Sequence, residues 1–119
     1  MDVKYEIHER IFKFIVNGLQ LPKLLPKTVE SQIVINQYLR ALTSVGANDN
    51  EADGAASKRD FIHLYSLVRK ELKEVHYWLR IIQELNVELR SRLTSSIQEN
   101  EELIRIVSKI ISNTAHTVK

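Results

Sequence analysis

The sequence predicts an all-α chain folded as an antiparallel, up-and-down four-helix bundle, and three observations carry that expectation. Apolar residues recur at three- and four-residue steps over most of its length. Three glycines and two prolines in 119 residues are too few for a β-rich fold with many tight turns. Both prolines, Pro22 and Pro26, stand in one short break between two periodic segments, where a helix interior cannot continue.

The first helix is expected from about Val3 to Gln20. Val3, Ile7, Ile11, Ile15 and Leu19 recur every fourth residue, and Phe12 and Phe14 broaden that face. "LPKLLPKT" ends it, with Pro26 suited to the first turn of the next helix. That second helix starts near Thr28. Ile35, Leu39, Leu42 and Gly46 form one stripe; Val29, Ile33, Arg40, Ser44, Ala47 and Glu51 form another, well round the cylinder. The small, polar stretch "SVGANDNEADGAASKRDFIH" (44–63) opens as a continuation of this helix, expected helical from Ser44 to Ala56, because its alanines favour helix and no proline interrupts it. Gly46 and Ala47 are expected at a close helix contact. Gly54 and Ser57 mark the end.

Ser57 to Asp60 reads as an N-cap with a carboxylate three residues on. The third helix is the clearest: Phe61, Leu64, Tyr65, Val68, Leu72, Val75, Leu79 and Ile82 follow three- and four-residue steps to about Leu85. Asn86 is expected to cap it in a left-handed conformation. The fourth helix carries Leu93, Ile97, Ile104, Val107 and Ile111, with a start anywhere from Val87 to Ser96. Four amphipathic helices with short connections make one bundle and a single domain over residues 1–119.

Composition narrows the function classes. The absence of cysteine excludes disulfides and thiolate metal sites. No apolar run reaches the roughly 20 residues of a membrane span, and "MDVKYEIHERIFKF" lacks the apolar core of a secretory leader. A cytoplasmic location, with no membrane partner, is expected. A net charge of +2 excludes a strongly basic nucleic-acid binder but permits a local basic face.

"LPKT", the 44–63 stretch and "KELKEVHYWLRII" resemble, in order and spacing, the bacterial four-helix bundle proteins named after intervening sequences in 23S rRNA genes. The matching residues are Leu25, Pro26, Lys27, Arg40, Ser44 to Asn48, Glu51, Ala52, Ser57, Lys58, Phe61 to His63, Lys70, Glu71 and Tyr77 to Leu79. The resemblance implies an antiparallel bundle assembled as a ring-shaped homopentamer, with no established enzymatic activity. A distant relative, the accessory protein of diversity-generating retroelements, assembles similarly and binds nucleic acid and a reverse transcriptase. Through it, the resemblance implies RNA or DNA and a reverse transcriptase as candidate partners.

Catalytic and metal constellations are not evident. A di-iron bundle needs carboxylate-x-x-His on two helices, and only Asp60 to His63 has that spacing. His8-Glu9 begins a zinc-protease-like string without its second histidine. His8, His63, His76 and His116 are therefore read as surface or packing residues. There is no nucleophile elbow or phosphate-binding loop. No catalytic residue, metal or cofactor is assigned. Arg40, Ser44 and Glu51 share one face of the second helix and are read as a structural polar seam, charge-paired with the third helix or with a neighbouring subunit.

Charge on the third helix is the remaining signal. Lys58, Arg69, Lys73, His76 and Arg80 fall on one stripe about a quarter-turn from the apolar face, with Glu71 and Glu74 on the opposite flank or back. It is the candidate nucleic-acid-binding face. The competing reading is a solvated face, or one paired with Glu99, Glu101 and Glu102. The stripe itself holds no aromatic residue, so phosphates rather than stacked bases are its expected contacts. The sequence thus predicts a non-enzymatic homo-oligomeric bundle that binds RNA or DNA through this face. A protein-binding adaptor without nucleic-acid binding is the alternative.

Overall fold

A computed structural model describes residues 3–116, with side chains from residue 6 onward. Four helices carry the chain: α1 (Val3–Gly18), α2 (Val29–Asp53), α3 (Lys58–Leu85) and α4 (Arg90–Ala115). Two short 3-10 turns, Leu21–Leu24 and Val87–Leu89, precede α2 and α4. No strand occurs among the described residues.

The boundaries follow from local chemistry. α1 stops two residues short of the expected Gln20, and Pro22 enters the first turn of the 3-10 segment instead. Pro26 lies before α2 rather than in its first turn. Thr28 is the cap there, its side chain accepting from the Ser31 amide at 3.1 Å. The small, polar stretch is helical through Asp53 but not to Ala56 as expected, because Gly54 caps the helix first. Ser57 then caps α3 by accepting from the Asp60 amide at 3.1 Å. Asn86 does not take up the left-handed conformation; its φ is −134°. Its side-chain amide donates to the Ile82 carbonyl at 2.9 Å, satisfying an orphan acceptor by a different route.

Cross-links show that each helix runs opposite to its sequence neighbour. His8 meets Asp49 while Tyr38 reaches Gly18; Tyr65 meets Asp49 while Arg40 faces Glu74; Arg69 reaches Ser108 while Gln83 reaches Thr94. The molecule measures 52 × 22 × 20 Å. Two helices side by side, each about 10 Å across, fill that section and leave one core.

α3 supplies the spine of that core through Phe61, Tyr65, Val68, Leu72, Val75, Leu79 and Ile82, with Leu64 half-buried at its edge. Each such side chain contributes about 1.5–3 kcal/mol when fully buried. α4 adds Leu93, Leu103 and Val107, while Ile97, Ile104 and Ile111 pack at the margin. α1 adds Ile7, Ile11 and Phe14, but Phe12 and Leu19 are exposed, so its inward face is narrower than the four-residue recurrence implies. The Val3 side chain lies outside the described residues. On α2 the buried line runs through Ile35, Tyr38, Leu42, Val45, Asp49 and Ala52. Leu39 is only half-buried, and Val29 and Ile33 face outward, 76% and 59% exposed.

α1 and α2 approach closely at two glycines. A methyl group on Gly46 would sit 2.7 Å from Ile15 Cδ1. One on Gly18 would sit 2.7 Å from both Leu42 Cδ2 and the Tyr38 hydroxyl. Ala47, expected at the same contact, instead lies on the exposed side of α2. One residue along a helix is a rotation of about 100°, enough to take it off the seam.

Candidate functional site

The charged stripe of α3 divides when its neighbours are known. His76 is half-buried and its Nε2 hydrogen-bonds Glu101 on α4 at 2.8 Å. Arg69, also half-buried, donates to Ser108 at 3.4 Å. These two tie α3 to α4. The rest of the expected acidic cluster turns elsewhere: Glu99 accepts both Arg10 bonds, and Glu102 binds Arg105. Those contacts raise the pKa of the Arg10 guanidinium and hold the Glu102 carboxyl below its ordinary value.

Lys73 and Arg80 are exposed and have neither ion pair nor hydrogen bond among the described residues. Lys58 is exposed at the first turn of α3, far along the helix from both. Lys73 lines a shallow groove of about 640 Å³ with Arg69, Lys70, Glu74, Tyr77 and Trp78. Arg80 lines an adjoining groove, about 240 Å³, whose wall also includes Tyr77. Tyr77 is thus 55% exposed within the cationic face, edge-on to Trp78 with ring centroids 5.1 Å apart. The stripe as drawn from sequence missed it. Its position four residues after Lys73 and three before Arg80 is the signal that places it there.

The polar seam comes together only in part. Arg40 reaches α3, its guanidinium 3.7 Å from Glu74, and also donates to Gln37 at 3.0 Å. Ser44 is half-buried, and Glu51 is exposed on the outer side of α2. On α3 the Glu71 carboxyl has one oxygen fully buried without a hydrogen-bond partner. Burial, and secondarily the charge of Glu74, raise its pKa.

A second polar cluster was not anticipated. Asp49 is buried on the inner line of α2, where one of its oxygens accepts from the Tyr65 hydroxyl at 2.6 Å and from His8 Nδ1 at 2.7 Å. His8 Nε2 lies 3.3 Å from Asp53, close enough for attraction but without hydrogen-bond geometry. Asp49 stands seven residues after Leu42, on the apolar stripe; a carboxylate at that register must find partners or be excluded from the core. The cluster joins three helices. Asp60 and His63 are both exposed, and no group of three or more potential metal ligands occurs among the described residues. No described helix is long and apolar enough to cross a membrane.

Similarity to known proteins agrees with this architecture. No curated protein matches the chain. A crystal structure of a protein of unknown function from the S23 ribosomal protein family of Bacteroides thetaiotaomicron is 29% identical with a TM-score of 0.79, covering 92% of this chain and 97% of that one. The sequence pattern of the 23S rRNA-intervening sequence proteins matches residues 3–109. That match spans most of the chain, and with four helices in this order it places the chain in the 23S rRNA-intervening sequence protein family.

Proposed function

We propose that this protein is a non-enzymatic, self-associating helical bundle of the cytoplasm that binds RNA or DNA through the outer face of α3. The observation that carries the reading is the pair Lys73 and Arg80, exposed and unpaired on one face beside the Lys70 and Arg69 groove. Cations held on a rigid helix without internal partners are free to neutralise phosphates, and release of condensed counterions then drives binding. The family's link by name to 23S rRNA accords with an RNA ligand. The outward apolar pair Val29 and Ile33 supports self-association, with a ring-shaped homopentamer the favoured form. Such a ring repeats the cationic face and multiplies weak contacts.

A second reading, a protein-binding adaptor, is favoured by Phe12 and Val16 on α1 and Leu19 just after it, all exposed. A reverse transcriptase is one candidate partner. Binding to mixed-sequence oligonucleotides at low salt supports the first reading. Capture of a defined protein partner that persists after nuclease treatment, with no oligonucleotide binding, supports the second.

A further inference from the structure

We infer that the nucleic acid taken by α3 is single-stranded, with a base stacked on Tyr77 between phosphates held by Lys73 and Arg80. This rests on the reading of α3 as a nucleic-acid face and adds the ligand's form. Tyr77 is an aromatic ring left more than half in water between two exposed cations, with the exposed Leu85 further along the second groove. It borders both grooves, with Lys73 in one and Arg80 in the other. At 1.5 Å rise per residue these cations stand about 6 Å before and about 4.5 Å after it along the helix axis. Cation, ring and cation therefore follow one another along a single exposed track. Trp78, half-buried against the core, meets Tyr77 edge-on and braces it from one side. Glu74 shares the groove, but its charge is offset by Arg40 at 3.7 Å.

This order of groups suits an unpaired strand. Stacking on an aromatic side chain needs an exposed base face, whereas bases in a duplex present only their edges and leave phosphates as the common contact. Stacking tolerates any base, so recognition here is of strandedness rather than sequence.

The test measures binding of one mixed sequence as single-stranded RNA, single-stranded DNA and duplex DNA. The proteins are the wild type, Tyr77→Ala, Tyr77→Phe and Lys73→Ala. Tighter binding of both single strands than of the duplex is expected. Tyr77→Ala should weaken the single strands roughly tenfold and the duplex little, while Tyr77→Phe keeps the ring and the affinity. Trp78 is the only tryptophan in the chain, so its fluorescence in the wild type should respond to single strands and little to duplex. Equal affinity for single strand and duplex, unchanged by Tyr77→Ala, overturns the stacking inference and leaves the phosphate reading standing. Absence of binding by every nucleic acid overturns both.

Discussion

The hydroxyl of Tyr65 on α3 donates to Asp49 on α2 at 2.6 Å, both side chains being buried, and His8 on α1 binds the same carboxylate oxygen. One oxygen thereby joins three helices. Burial, and then the bond to Asp49, push the Tyr65 hydroxyl well above the ordinary tyrosine pKa, so it stays a neutral donor across the physiological range.

Tyr65→Phe keeps the ring stacked on Phe61, 4.6 Å between centroids, and removes only the hydroxyl. A bond to a charged acceptor contributes about 1.5–3 kcal/mol. Urea unfolding should show a loss of that size with an unchanged m value. A change below about 0.5 kcal/mol would mean that Asp49 is satisfied without Tyr65.

Gly18 and Gly46 should respond differently to alanine. At Gly46 the new methyl meets the flexible end of Ile15, which can move, and alanine also favours helix. At Gly18 it meets the Tyr38 hydroxyl, fixed by its own bond to the Gly18 carbonyl at 2.9 Å. Gly18→Ala should cost about 1–3 kcal/mol and Gly46→Ala less than about 1 kcal/mol. The order of the two melting temperatures checks this.

Glu71 gives a pH dependence. Its pKa is raised in the folded protein by burial, so the native state holds that proton more tightly than the unfolded chain. Its effect on stability is therefore most favourable below the ordinary glutamate value, about 4.3, and is lost as pH rises through the folded value. Glu71→Gln should then melt higher than wild type at pH 7, with the difference vanishing near pH 4. An equal difference at both pH values would point to packing rather than charge.

Self-association should depend on the outward apolar pair of α2. Light scattering is expected to give a mass several times 13.8 kDa, and Ile33→Glu to lower it with helical content intact. A wild type that stays monomeric at all concentrations contradicts the assembly.

Most of the fold was legible because helical periodicity reports burial directly. Every residue of the Phe61–Ile82 series is buried or half-buried, and the helical reading of the small, polar stretch holds through Asp53. What periodicity could not give was the angular width of each face: Leu19 keeps the four-residue recurrence and Phe12 adjoins it, yet both are exposed, because only a neighbouring helix decides where a face stops. Partner choice was similarly hidden. His76 and Lys73 share a stripe, yet only His76 lies over Glu101. Asp49 stayed unnoticed because a carboxylate on an apolar stripe reads as a break until Tyr65 and His8 are seen beside it.

The central claim is that Lys73 and Arg80 meet phosphates, and the salt dependence of binding tests it most directly. For a single strand, log affinity falls with log salt by about 0.7 per neutralised phosphate. The account predicts that wild type binds a mixed-sequence strand with a clear salt slope. Replacing Lys73 and Arg80 together by alanine should flatten that slope by about 1.4, with circular dichroism unchanged. Identical slopes and affinities for the two proteins, or no binding by either, would contradict it.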